Sequence, residues 1–137
     1  MPKDVNIRWG WLKVMYVYTI MGAGGFGLAI LFTPHAIERT MGFPSEDPIV
    51  FGVFGSVYAA FGLLSFLGLR SPLKFAPVLL LQLCYKSIWF IGVLVPLLIA
   101  SHFPAYGMTL VIIFATYIVG DLIAIPFTYV FSKQPNQ

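Results

Sequence analysis

Two charged residues, Lys86 and Asp121, interrupt long apolar stretches of the sequence. If those stretches cross a membrane, a lone charge at their centre costs roughly 2.5–3.5 kcal/mol on insertion scales. Two opposite charges so placed predict an ion pair, direct or bridged by water, facing the interior. Gln82, Lys86 and Trp89 follow at i, i+4 and i+7, one helical face, with Tyr85 adjacent. Tyr117 and Asp121 stand at i, i+4, with Thr128 two turns beyond. Tyr16, Tyr18 and Thr19 in the first apolar stretch, and Tyr58 and Ser65 in the second, are further polar groups at nearby depth. Three kinds of chemistry suit this set. It can be a staple that fixes helix register, a binding pocket, or a path for protons or ions. In the pocket reading Gln82, Tyr85, Lys86, Trp89, Tyr117 and Asp121 bind an amphipathic molecule such as a quinone or a lipid, with Phe, Trp and Leu as walls. The pocket is then expected to open toward the cytoplasmic half.

Other groups point to chemistry less directly. His35 and Glu38 at i, i+3, with His102, Glu46 and Asp47, are types that hold Zn or Fe. Two His far apart in sequence make a thin set, and no metal is assigned. The single cysteine, Cys84, lies in an apolar run and cannot form an intramolecular disulfide or a Cys-based cluster. No Ser-His-Asp or Cys-His arrangement is available, so no catalytic residue is named. Gly22-x-Gly24-x-x-Gly27 matches a dinucleotide-binding pattern in form only, because no strand precedes it.

The elements that must position these residues follow from composition. Of 137 residues, 59% are hydrophobic and only 9% charged, against about 25% charged in soluble domains. Thirteen charges (eight Lys and Arg, five Asp and Glu) are too few to cover a soluble globule. A soluble enzyme, a disordered tail and a nucleic-acid module are excluded, and the net charge of +3 belongs to membrane borders. Four spans are expected near 12–32, 49–69, 75–100 and 106–131, each at or above the ~20 residues a bilayer requires. The first is kept as a span rather than a signal peptide, being longer than a typical apolar signal region and lacking a cleavage site. Runs such as Val78-Leu79-Leu80-Leu81 lack the alternation of a barrel strand.

Lys3, Arg8, Lys13, Arg70, Lys74 and Lys133 fall on one side of such a layout and Arg39 alone on the other. The bias predicts cytoplasmic N- and C-termini, with Trp9, Trp11, Tyr129 and Phe131 at the inner interface. In the loop from Thr33 to Pro48, Thr33-Pro34 reads as a helix cap and start and Gly42 as a stop, giving a short interfacial helix over 34–41 with His35, Glu38 and Arg39 toward water. Asp47-Pro48 opens the second span. The remaining connections are short, so neighbouring helices run antiparallel. The expected fold is all-α, one domain over 1–137: an integral membrane up-down-up-down four-helix bundle with a short outer interfacial helix.

Membrane helices associate through close packing and polar contacts. Gly52, Ser56 and Ala60, with Gly55, Ala59 and Gly62 alongside, give the second span a smooth face; Gly22, Ala23, Gly24, Gly25 and Gly27 do the same for the first. These faces are expected to meet within the bundle or to form a homo-oligomer contact. Pro96 and Pro126 are each expected to put a fixed kink in their helix, with a hinge as the alternative.

The stretches Leu83-Cys84-Tyr85-Lys86-Ser87-Ile88-Trp89-Phe90 and Gly120-Asp121-Leu122-Ile123-Ala124-Ile125-Pro126-Phe127, within the four-span layout, resemble small bacterial four-helix membrane proteins of uncharacterised function. The chain is similar to the DoxX-like group, some of which are implied to be membrane partners of redox enzymes. That resemblance implies a bacterial inner-membrane protein and carries no catalytic motif. The leading expectation is a non-catalytic accessory or scaffolding subunit of a larger membrane complex. The alternative is a binder, carrier or enzyme for a hydrophobic small molecule, quinone or lipid, at Lys86 and Asp121. The partners expected are the bilayer itself and a larger membrane protein complex or further copies of the chain, with no nucleic acid.

Overall fold

The computed structural model describes residues 6–134; Lys3, one of the charges used for orientation, lies outside them. The described residues fold into helices and connections, with no strand among them. Four helices are long and apolar enough to cross a membrane: α1 (Trp9–Phe32), α3 (Pro48–Arg70), α4 (Ala76–Ile99) and α5 (Gly107–Ala124). Two short helices, α2 (Pro34–Met41) and α6 (Phe127–Val130), complete the chain. At about 1.5 Å per residue, the 18 residues of α5 rise about 27 Å, near the lower limit for a span.

Helix ends follow local chemistry. Asp47 caps α3, its Oδ1 accepting from the backbone N–H of Ile49 at 2.8 Å and of Val50 at 3.4 Å, with Pro48 in the first turn. Gly42 ends α2 in the left-handed region at φ 75°, and the Phe43 N–H closes the turn onto the Glu38 carbonyl at 2.9 Å. Thr33 takes the N-cap position of α2 as expected, and Pro34 its first turn, but the Thr33 side chain makes no capping bond. Its hydroxyl donates back to the Ala29 carbonyl at 2.8 Å, in the turn it has just left.

The two prolines act differently from each other. Pro126 does not kink a long fourth helix; it ends one. Proline disfavours helical backbone in the residue before it, and Ile125 is extended (φ −69°, ψ 125°), so α5 stops at Ala124 rather than near 131. Thr128 therefore belongs to α6 and not to the face of Tyr117 and Asp121. Pro96 lies inside α4, just after a wide i→i+5 turn over Phe90–Leu94. Its ring would crowd the Gly92 carbonyl in a regular helix, and the widened turn is centred on Gly92, so the helix continues past it.

The smooth faces of α1 and α3 do meet. A Cβ added at Gly24 would lie 3.3 Å from the Gly62 Cα, and one at Gly27 would press on the Gly55 carbonyl oxygen and the backbone of Tyr58 and Ala59. Gly55 packs against Ile30 and Gly68 against the ring of Tyr16. As the α1 number rises the α3 number falls, so the two helices are antiparallel. The contact uses the Gly55, Ala59 and Gly62 side, whereas Gly52 faces open space and Ser56 and Ala60 are exposed. Likewise Met15 covers Gly120 and Tyr117 covers Gly22, so α1 and α5 are antiparallel as well. Leu12, Met15, Tyr16, Leu79, Tyr117, Ala124 and Ile125 form the main apolar core, weighted toward the end of the molecule that carries the termini. Outward faces remain apolar: Phe32, Ile49, Ile91 and Ile99 are each more than 70% exposed, and Cys84 is exposed among such residues on α4.

Candidate functional site

Lys86 and Asp121 both point inward and are at most 1% exposed. They occupy separate niches. Asp121, on α5, accepts from the Gln82 amide of α4, Nε2 lying 3.1 Å from Oδ2 and 3.4 Å from Oδ1. The same nitrogen reaches Thr19 Oγ1 of α1 at 3.4 Å, and that hydroxyl donates to the Met15 carbonyl at 2.7 Å. Three helices are thus joined at one buried point. A carboxylate only accepts, so the amide must turn its NH2 toward Asp121. Gln82 Oε1 is left buried with no partner.

The Lys86 ammonium instead donates to the Tyr85 hydroxyl at 2.8 Å. It lies 4.2 Å from the ring centroid of Tyr117, 4.4 Å from that of Tyr85 and 5.1 Å from that of Phe114. The expected direct ion pair with Asp121 is not formed. Among the described residues the one ion pair is His35 Nδ1 with Glu38 Oε2, at 3.4 Å. The reason is competition one turn away: Gln82 occupies the carboxylate, and the negative faces of aromatic rings take its place around the cation.

Tyr117 links this niche to the backbone of α1. Its hydroxyl donates to the Tyr18 carbonyl and accepts from the Ala23 N–H, both at 3.2 Å. Those two groups are five residues apart, so the phenol is inserted in the α1 hydrogen-bond ladder. Insertion of a side chain is an established cause of a widened turn, and the wide turn Ile20–Gly24 lies here. Gly22 leaves the space for the hydroxyl. The ring also stacks on Tyr18, with centroids 4.4 Å apart and planes 23° apart, while the Tyr18 hydroxyl meets Thr116 Oγ1 at 2.6 Å. Gly22-x-Gly24-x-x-Gly27 is accordingly a packing pattern, each glycine admitting a neighbour.

Two cavities adjoin this cluster. One of about 410 Å³ is lined by Phe26, Tyr58, Tyr85, Trp89, Tyr106 and Phe114 among others, with Phe43 and Glu46 at its edge. The second, about 260 Å³, includes Lys86, Tyr117, Tyr18 and Met41, and shares Phe26, Tyr58, Leu110 and Phe114 with the first. Phe43 and Tyr106, their rings edge to face at 5.5 Å, belong to connections at the α2 end of the molecule. The space therefore reaches the end opposite the termini, not the half that was expected. At the terminal end the core residues Leu12, Met15, Leu79, Ala124 and Ile125 fill the interior.

Of the six residues singled out for a pocket, Tyr85 and Trp89 line the larger cavity and Lys86 and Tyr117 the smaller; Gln82 and Asp121 line neither. Tyr16 donates to the Pro72 carbonyl at 2.7 Å and Ser65 to that of Phe61 at 2.7 Å, so both are structural. Thr128 borders a separate cleft with Asn6 and Arg8. Phe26, Phe43, Tyr106 and Phe114 were not anticipated as walls. Phe114 shares a helix face with Tyr117 and Asp121 at i, i+3 and i+7, a signal present in the sequence; Phe26 is one apolar residue among many. His35 and Glu38 do touch, but Glu38 turns inward, its side chain 12% exposed and Oε1 accepting from the Glu46 N–H at 3.2 Å. Among the described residues no three His, Cys, Asp or Glu side chains gather as a metal site requires, so His102 does not join this pair.

Comparison with protein-family models, curated proteins and solved structures gives no match to this chain.

Proposed function

We propose that the chain is a multi-pass protein of a bacterial inner membrane, folded as an up-down-up-down four-helix bundle with cytoplasmic termini, that binds a hydrophobic small molecule of the quinone or lipid kind. The observation that carries this reading is the pair of adjoining aromatic-walled cavities, the smaller of which is lined by Lys86. Sites for such molecules are concave, mostly apolar and equipped with a few polar groups that fix orientation. The larger cavity supplies the apolar wall, and Lys86 with the Tyr85 hydroxyl supplies the polar anchor. The antiparallel contacts of α1 with α3 and with α5 support the bundle, and the apolar outward faces support insertion in lipid. The positive-inside bias supports the orientation.

A subunit of a larger complex was the leading expectation from sequence, on the ground of the short loops, a feature that a binder of a membrane-soluble molecule shares equally. The test is purification in mild detergent followed by solvent extraction and mass spectrometry. One quinone or lipid molecule per chain is expected, and it should be lost from a folded Leu110→Trp variant, whose larger side chain fills the space between the cavities. A bare chain, or a fixed-ratio complex with larger proteins and an empty extract, contradicts the proposal.

A further inference from the structure

We propose that the bound molecule is a single-chain acidic amphiphile, a long-chain carboxylate whose head group meets Lys86 Nζ and whose tail runs through the larger cavity. This rests on the pocket reading above and names its ligand class. An ammonium carries three N–H donors, and here one is used, on Tyr85. Ring faces attract the cation but do not neutralise it. Asp121, the one carboxylate within the four long helices, faces the Gln82 amide and makes no ion pair with Lys86. A buried charge is stable when it is paired and hydrogen-bonded. Lys86 lines an open cavity and has no carboxylate in contact, so an anionic head group completes it.

The distribution of charge selects a ligand charged at one end: Lys86 is the one cation lining either cavity, while Tyr58, Trp89 and Tyr106 add neutral polar groups along the walls. The Tyr18 and Tyr117 hydroxyls at the smaller cavity already have partners, in Thr116 and in the α1 backbone. A quinone has acceptors at both ends of its ring, whereas these cavities place their one cation at one end. The larger cavity is walled by Phe26, Phe54, Val57, Trp89 and Phe114, as an alkyl chain requires. Glu46 at its edge sets the direction: a carboxylate head is repelled there and attracted at Lys86.

The experiment uses the full chain in phosphatidylcholine nanodiscs with Trp9→Phe and Trp11→Phe, leaving Trp89 in the cavity wall as the sole tryptophan. A stearate carrying a nitroxide on its chain quenches Trp89 saturably, and palmitate, methyl palmitate, hexadecanol and a decyl-substituted benzoquinone compete. Palmitate is expected to compete at roughly tenfold lower concentration than any neutral competitor, the scale of one charge-assisted contact. Lys86→Met should level that series. If the variant does not fold, the series on the unchanged Lys86 decides alone. Neutral competitors that equal palmitate, or a quinone that surpasses it, overturn the acidic head group and leave the cavity reading intact. No saturable quenching by the nitroxide stearate and no binding of the quinone overturn both.

Discussion

A methyl group added at Gly22 meets the Tyr117 hydroxyl, the oxygen already shared between the Tyr18 carbonyl and the Ala23 N–H. Gly22→Ala should therefore cost about 1–3 kcal/mol through overpacking, read as a shift in denaturant unfolding. Tyr117→Phe loses both hydrogen bonds of the hydroxyl, at a cost of about 1–3 kcal/mol. The double variant should be more stable than the sum of the two, because removing the hydroxyl vacates the space the methyl needs. Strict additivity would show that the hydroxyl is not inserted in α1. None of this was visible in sequence, where Gly22 was one glycine in a smooth patch. Lys86 and Asp121 were readable as interior residues because exposing either to lipid is costly. Their pairing was not, because matched depth says nothing of which polar neighbour arrives first, and Gln82 sits one turn from Lys86 on the same face.

At the scale of elements, two glycines of one packed pair of helices should behave oppositely. Gly27 lies against the backbone of α3, while Gly52 faces open space. Gly27→Ala is expected to destabilise by about 2 kcal/mol or more, since backbone cannot move aside as a side chain can. Gly52→Ala should leave stability unchanged or raise it by up to about 1 kcal/mol, as alanine does within helices. Equal effects, measured by the same unfolding assay, would mean α1 and α3 do not pack in this register. The four long helices were legible within a few residues at seven of eight ends, because apolar length and the Asp47-Pro48 signal are local, as are the Pro34 and Gly42 signals that bound α2. The end of α5 was misplaced. Apolarity persists through Phe131, and only the restraint Pro126 puts on Ile125 stops the helix.

For the whole molecule, the orientation proposed from the charge bias can be checked by labelling. In a Cys84→Ser background, Lys133→Cys should react with an impermeant maleimide only from the cytoplasmic side, and Ser45→Cys only from the other; the reverse pattern overturns the orientation. The cavities themselves were half legible. Aromatic and charged types on the facing sides of α4 and α5 announced a polar interior, but the end to which it opens depends on which core fills. Leu12, Met15 and Leu79 fill the terminal end, a packing outcome that hydropathy does not encode. The most direct measurement is a density map of the native protein in lipid. Elongated density is expected between Phe26, Tyr58, Trp89 and Phe114, with its polar end at the Lys86 ammonium. A collapsed interior, or Lys86 turned onto Asp121 with nothing between those rings, would contradict the proposed pocket.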